Sequence, residues 1–196
     1  MTFATKITVC RILLVPVFSV LAIRYGMSTH SGAPEAIYRW WALAVFITAA
    51  VSDGVDGWIA RKFDQRSDLG AYLDPLADKA LVTSAILVLT FYDWGASGWR
   101  LPIWFTIIVL LRDAIILAGI RYLTARKLTV KIIPHWTGKI CTVSLFVVLG
   151  WMMLGPIPLS PIYPCTFAGL FIVLSMWSYI RQGWNILHPP ASSGGR

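Results

Sequence analysis

Apolar residues gather along this chain in six long runs, over about Thr8–Tyr25, Tyr38–Ile59, Gly70–Phe91, Leu101–Leu123, Ile140–Leu154 and Cys165–Ile180. A helix of roughly 20 such residues crosses a bilayer. The pattern predicts an all-α, polytopic membrane protein with six transmembrane helices. Trp40 and Trp41 suit an interfacial aromatic belt where the second run begins. Pro16 is expected to bend or loosen the first helix. Polar or proline-rich segments separate the runs: residues 27–37, residues 62–69, the Gly- and Trp-containing turn Asp93–Arg100, the basic segment Thr124–Gly138, and Gly155–Pro164 with four prolines and no charge. A membrane domain over residues 1–183 and a polar tail over 184–196 complete the expected organisation.

Composition strengthens this picture. Of 196 residues, 57% are hydrophobic and 13% charged, against about 25% charged in a soluble domain. Mean hydropathy is +0.69. No small-residue cleavage site follows the first run, so that run is expected to remain as a span. Cys10, Cys141 and Cys165 have no metal-ligand spacing and read as small buried hydrophobes.

The net charge of +8 points to anionic lipid headgroups rather than to nucleic acid. With the N-terminus inside, Arg24, Arg39 and Arg100 fall outside. The other 14 of 17 basic residues fall inside or within a span. Lys and Arg collect in cytoplasmic loops, so both termini are expected in the cytoplasm, with the membrane a bacterial inner (plasma) membrane.

Six of the nine acids lie between residues 53 and 78, flanked by greasy segments. Asp53 and Asp56 are three apart and share a helix face; Asp74 and Asp78, four apart, do the same on the next helix. A tight connection between the two helices brings four carboxylates together at the cytoplasmic membrane boundary. Unpaired, they would repel strongly in a partly desolvated site. Divalent cations relieve this, and all-oxygen ligation favours Mg²⁺ or Mn²⁺. Two such metals about 4 Å apart clamp a phosphoryl group. Gly57 and Ala60 leave room for a ligand, Gly70 permits close approach, and Arg61 is placed to bind a phosphate. Asp64 and Asp68 read as solvated loop acids, and Asp93 as a turn residue.

These residues carry a resemblance. The run Asp53-x2-Asp56-Gly57-x2-Ala60-Arg61-x8-Gly70-x3-Asp74-x3-Asp78 is similar to the signature of the CDP-alcohol phosphatidyltransferase family, and every fixed position is met. Thr8-x2-Arg11-x4-Pro16 also resembles the family's first helix, although Thr5 stands where an Asn is frequent. The resemblance implies transfer of a phosphatidyl group from a CDP-linked lipid, CDP-diacylglycerol, to an alcohol, with release of CMP. It implies Asp53, Asp56, Asp74 and Asp78 at a metal centre, with Asp78 as the general base. It places Gly57, Ala60, Arg61, Gly70 and Thr8 at the CDP donor. It also implies a homodimer, the usual state in the family.

The acceptor is read from elsewhere. Arg112 and Asp113 lie near the middle of the fourth run, and charges at that depth usually face a cavity. They form either an ion pair joining helices or part of a cationic pocket. Arg112, Lys131 and Lys139 suit the phosphate of glycerol 3-phosphate or the headgroup of phosphatidylglycerol. Arg112-Asp113 with Gly138-Lys139 resembles the glycerophosphate and cardiolipin branch; transfer to glycerol 3-phosphate is the expected reaction, and the Arg-Asp pair leans toward the alternative, a cardiolipin synthase acting on phosphatidylglycerol. Arg11 either snorkels to the interface or turns inward to an anion. His135 reads as a loop histidine, with acceptor contact as the alternative. A cation transporter and a structural membrane protein are the rivals from other classes, and neither explains the glycine, alanine and arginine spacing.

Overall fold

The computed structural model describes residues 3–63, 68–96, 98–126 and 136–187. Side chains within the helices are described over 10–52 and from 79 onward, apart from Ile120, Thr124, residues 136, 137 and 139, and residues 185–187. Six α-helices and no strand occur among the described residues: α1 (Phe3–His30), α2 (Ala36–Phe63), α3 (Asp68–Phe91), α4 (Ile103–Ala125), α5 (Trp136–Leu154) and α6 (Ile162–Leu187).

The helices pack as two groups of three. In the first, α1 lies against both α2 and α3; in the second, α6 lies between α4 and α5. Contacts of α2 with α5, and of α3 with α4 and α5, join the groups. The first group closes on small residues: Ala22, Ala42, Ala49 and Ala85 are fully buried. Without a water-driven collapse, small side chains let membrane helices approach closely and gain dispersion contacts. Phe18 and Tyr25 of α1, spaced four and three residues from Ala22, pack in the same core. Large apolar side chains point outward instead, among them Leu13, Val143, Val147, Phe167 and Trp177. Such a surface aggregates in water, whereas against lipid it is the expected outside.

Three helices contain segments long and apolar enough to cross a membrane: Cys10–His30, Ile103–Leu123 and Ile162–Trp184. The apolar parts of the others are shorter among the described residues, at Ala36–Ser52, Lys79–Phe91 and Ile140–Leu154. The protein is an integral membrane protein.

Several boundaries differ from the sequence expectation, each for a local reason. α1 runs as one helix through Pro16 and on to His30, instead of stopping at Tyr25. Ser28 and Thr29 donate their hydroxyls back to the Tyr25 carbonyl at 2.7 and 3.0 Å, so polar residues fit its last turn without leaving hydroxyls unpaired. Gly32 follows the end of the helix at His30, and its φ of 78° is the left-handed stop that glycine adopts freely. α6 begins at Ile162 with Pro164 in its first turn, where no amide donor is needed. It continues past Ile180 to Leu187, so Trp184–Leu187, expected in the polar tail, are helical. Cys10 is exposed, not buried; Cys141 and Cys165 are buried. Asp68 opens α3 instead of lying in a loop, a favourable place for an acid.

One end of the bundle is closed by tryptophans. Trp94 and Trp99, from the α3–α4 connection, donate their indole N–H groups to the carbonyls of Met153 and Met152 at 3.0 and 3.2 Å. Those carbonyls belong to the last turn of α5 and have no partner within the helix. Trp94 is fully buried and meets Tyr25 edge to face, with ring centroids 4.7 Å apart. Gly155, at φ 110°, follows α5, and Arg39 of α2 packs against its backbone. A second polar tie lies nearby in α3. Thr90 donates to the Ile86 carbonyl at 2.7 Å, so in its 2.6 Å contact with Thr106 of α4 it is the acceptor.

Replacing Trp94 by Ala is expected to cost about 3–5 kcal/mol, from the lost ring volume and the orphaned carbonyl. Trp94→Phe keeps much of the packing and should cost less. Thermal unfolding of the purified variants in detergent measures both.

Candidate active site

Register comes first. Asp53 and Asp56 stand ten and seven residues before the end of α2; Asp74 and Asp78 stand six and ten residues after the start of α3. At 1.5 Å per residue, Asp53 and Asp78 lie about 15 Å from their helix ends, and Asp56 and Asp74 about 10 Å. Consecutive helices separated by four residues therefore carry their acids at matching heights. The side chains of Asp53, Asp56, Asp74 and Asp78 lie outside the described residues, as do those of Gly57, Ala60, Arg61 and Gly70 on the same helices and Thr8 on α1. Carboxylates are hard oxygen donors of the kind that suits a divalent cation.

Next to this region the described side chains form a cavity of about 280 Å³. Lys79 enters it from α3, one residue beyond Asp78. Arg112 and Asp113 enter from α4, Thr142 from α5 and Tyr179 from α6. Val82, Ile116, Leu145 and Phe146 supply apolar wall. The polar groups thus come from four helices and meet inside an otherwise greasy bundle.

Asp113 organises the charges. Its Oδ1 accepts from Arg112 Nη1 at 3.2 Å, and its Oδ2 lies 3.3 Å from Lys79 Nζ. The carboxylate therefore ties α4 to α3, and two cations share one anion. One positive charge is left over. Arg112 is the more enclosed cation, its side chain 13% exposed against 38% for Lys79. Its Nε is buried with no hydrogen-bond partner among the described residues. An orphaned guanidinium donor beside a cavity calls for an acceptor, and an anion supplies both the charge and the lone pairs. Arg112 thus pairs with its chain neighbour Asp113 on the same helix and lines the cavity, whereas the tie between α3 and α4 runs through Lys79 and Asp113.

The wall from α5 and α6 carries hydroxyls. Thr142 donates to the Gly138 carbonyl at 3.1 Å. The Tyr179 hydroxyl rests against the backbone of Gly138, 3.2 Å from where a β-carbon would stand. Arg11 is 1% exposed, so it turns into the bundle instead of snorkelling to the headgroups. Lys131 and His135 lie outside the described residues; Lys139 is in the first turn of α5, with its side chain outside them as well. No cluster of three metal-ligating side chains occurs among the described residues.

Sequence reasoning did not single out Lys79, Thr142 or Tyr179 as site residues. Lys79 had a signal, since it adjoins the last aspartate of the motif and turns onto the same helix. Thr142 and Tyr179 had none, because their positions follow from the packing of α5 and α6.

A cationic cavity inside an apolar helical bundle, lined in part by the helix that carries Asp74 and Asp78, suits an integral membrane protein that handles phosphate groups. Comparison with known proteins gives the class a name: the sequence model of the CDP-alcohol phosphatidyltransferase family matches residues 1–183, and the chain belongs to that family. It is an enzyme that transfers substituted phosphate groups. The family is in general dependent on divalent metals. A probable phosphatidylglycerophosphate synthase of Mycobacterium tuberculosis is 33% identical over 183 residues, covering 91% of this chain and 80% of the relative. The CDP-diacylglycerol–glycerol-3-phosphate 3-phosphatidyltransferase of Bacillus subtilis is 29% identical over 191 residues, covering 93% and 95%. The Escherichia coli protein of the same name is 29% identical over 184 residues, covering 90% of each. The transporter and structural-protein rivals do not account for these matches.

Proposed function

We propose that this protein transfers the phosphatidyl group of CDP-diacylglycerol to glycerol 3-phosphate, releasing CMP, in the synthesis of anionic phospholipids. The observation that carries this reading is the cavity that starts at Lys79, one residue from Asp78, and holds Arg112 deeper in the bundle. A small phosphate ester held there by the cations has its hydroxyl end toward the carboxylates. The names of the Bacillus subtilis and Escherichia coli relatives agree with it.

Asp78 is the general base that takes the proton of the attacking hydroxyl. The new bond forms from that oxygen to the phosphorus bearing the diacylglycerol, and the bond to CMP breaks. Asp53, Asp56 and Asp74, with Asp78, would hold the divalent ions, which would supply charge neutralisation of the diphosphate and of the departing CMP. Gly57, Ala60, Arg61, Gly70 and Thr8 border the donor. Arg112 and Lys79 hold the acceptor phosphate, with Lys131 and Lys139 adding positive charge from the basic segment. The six helices cross a bacterial inner membrane with both termini and the acidic site on the cytoplasmic side. The distribution of basic residues supports that orientation.

Phosphatidylglycerol, the acceptor of a cardiolipin synthase, is the second reading, favoured by the Arg112-Asp113 pair. A cavity of about 280 Å³ with apolar walls suits a small ester better than a headgroup carrying two acyl chains.

The purified protein is expected to release CMP from CDP-diacylglycerol with glycerol 3-phosphate, and to stop when EDTA removes divalent metal. Asp74→Asn should lower the rate at least 100-fold, since a metal-bound carboxylate is lost. Release with phosphatidylglycerol but not with glycerol 3-phosphate would reverse the acceptor assignment. Arg112→Ala should raise KM for glycerol 3-phosphate about 10- to 100-fold through loss of a charge-assisted contact. KM for CDP-diacylglycerol should change little. Steady-state CMP release with each substrate varied in turn separates the two effects.

A further inference from the structure

The hydroxyl of Tyr179 is the one cavity group whose presence no charge balance explains. It projects from α6 into a space whose cations come from α3 and α4. Its seat depends on Gly138, because any side chain there would crowd the oxygen at 3.2 Å. The neighbouring Thr142 hydroxyl has already given its proton to the Gly138 carbonyl. Tyr179 makes no hydrogen bond among the described residues, so its oxygen is free both to donate and to accept. The other walls are Val82, Ile116, Leu145 and Phe146, which offer a polar ligand nothing. A half-buried phenol held in place without a partner is expected to find one in whatever fills the cavity.

We propose that Tyr179 is a specificity-determining residue that reads the secondary hydroxyl of the acceptor. The inference rests on the acceptor reading above. With the phosphate on Arg112 and Lys79 and the primary hydroxyl presented to Asp78, the secondary hydroxyl lies between them. It is the one remaining polar group of a glycerol phosphate. A hydroxyl both donates and accepts, as the phenol does, whereas the phosphate is already matched by cations. A site that hydrogen-bonds a substrate hydroxyl discriminates against the analogue that lacks it, because its own polar group is then left unpaired.

The test compares wild type with Tyr179→Phe, which keeps the ring and its packing, on two acceptors. One is glycerol 3-phosphate; the other is 3-hydroxypropyl phosphate, which retains the phosphate and primary hydroxyl and lacks the secondary one. With glycerol 3-phosphate, Tyr179→Phe is expected to raise KM about five- to tenfold, the size of one neutral hydrogen bond. Its kcat should stay within about twofold, with KM for CDP-diacylglycerol and the unfolding temperature unchanged. With 3-hydroxypropyl phosphate, the KM of the variant should be no higher than that of wild type, since no phenol is then left unpaired. An unchanged KM for glycerol 3-phosphate in the variant overturns the inference while leaving the acceptor assignment intact. An equal penalty on both acceptors also overturns it, since the contact then goes to the phosphate. A wild-type protein that releases no CMP with glycerol 3-phosphate overturns the acceptor assignment and this inference together.

Discussion

The carboxylate of Asp113 is the interaction on which the polar interior depends. A lone cation among hydrocarbon side chains is costly, and two are worse. Lys79 and Arg112 are tolerated because each takes one oxygen of the same carboxylate. Exposed ion pairs contribute little to stability, about 0–1 kcal/mol, and Lys79 is 38% exposed, so the value of this arrangement is mainly positional. It fixes two basic side chains from different helices on one cavity and leaves a single excess positive charge. A neutral cavity would have little hold on a phosphate. One without Asp113 would confront two unpaired cations before any ligand arrived.

The same triad adjoins the acidic motif. α3 carries Asp74 and Asp78 and then, at the next residue, Lys79. A shift of α3 that moved Asp78 would also move Lys79. In the proposed reaction one rigid element thereby positions both donor and acceptor, the kind of placement that turns a bimolecular encounter into an oriented one.

Much of this was legible in the chain. Long apolar runs foretold six helices, and fixed gaps between acids and small residues foretold the family. Arg112 was conspicuous because a charge amid hydrocarbon needs a reason. The ends of helices were less legible. Ser28 and Thr29 look like loop residues until their hydroxyls are seen to bond back to Tyr25, and Pro164 looks like a breaker although the first helical turn accepts it. Tyr179 was invisible, for its meaning comes from Gly138 of another helix. Contacts between helices far apart in sequence leave no periodic trace along either one.

The two indoles that cap α5 have a mechanical consequence. They grip its last turn at Met152 and Met153, whereas near the other end of the same helix Thr142 lines the cavity and Gly138 seats the Tyr179 hydroxyl. The fourteen residues from Gly138 to Met152 make a lever of about 21 Å. Pivoting α5 by five degrees about the grip would carry the seat of Tyr179 sideways by about 2 Å, close to the difference between a hydrogen bond and none. A change confined to the tryptophan end can therefore reshape the cavity without touching any residue that lines it.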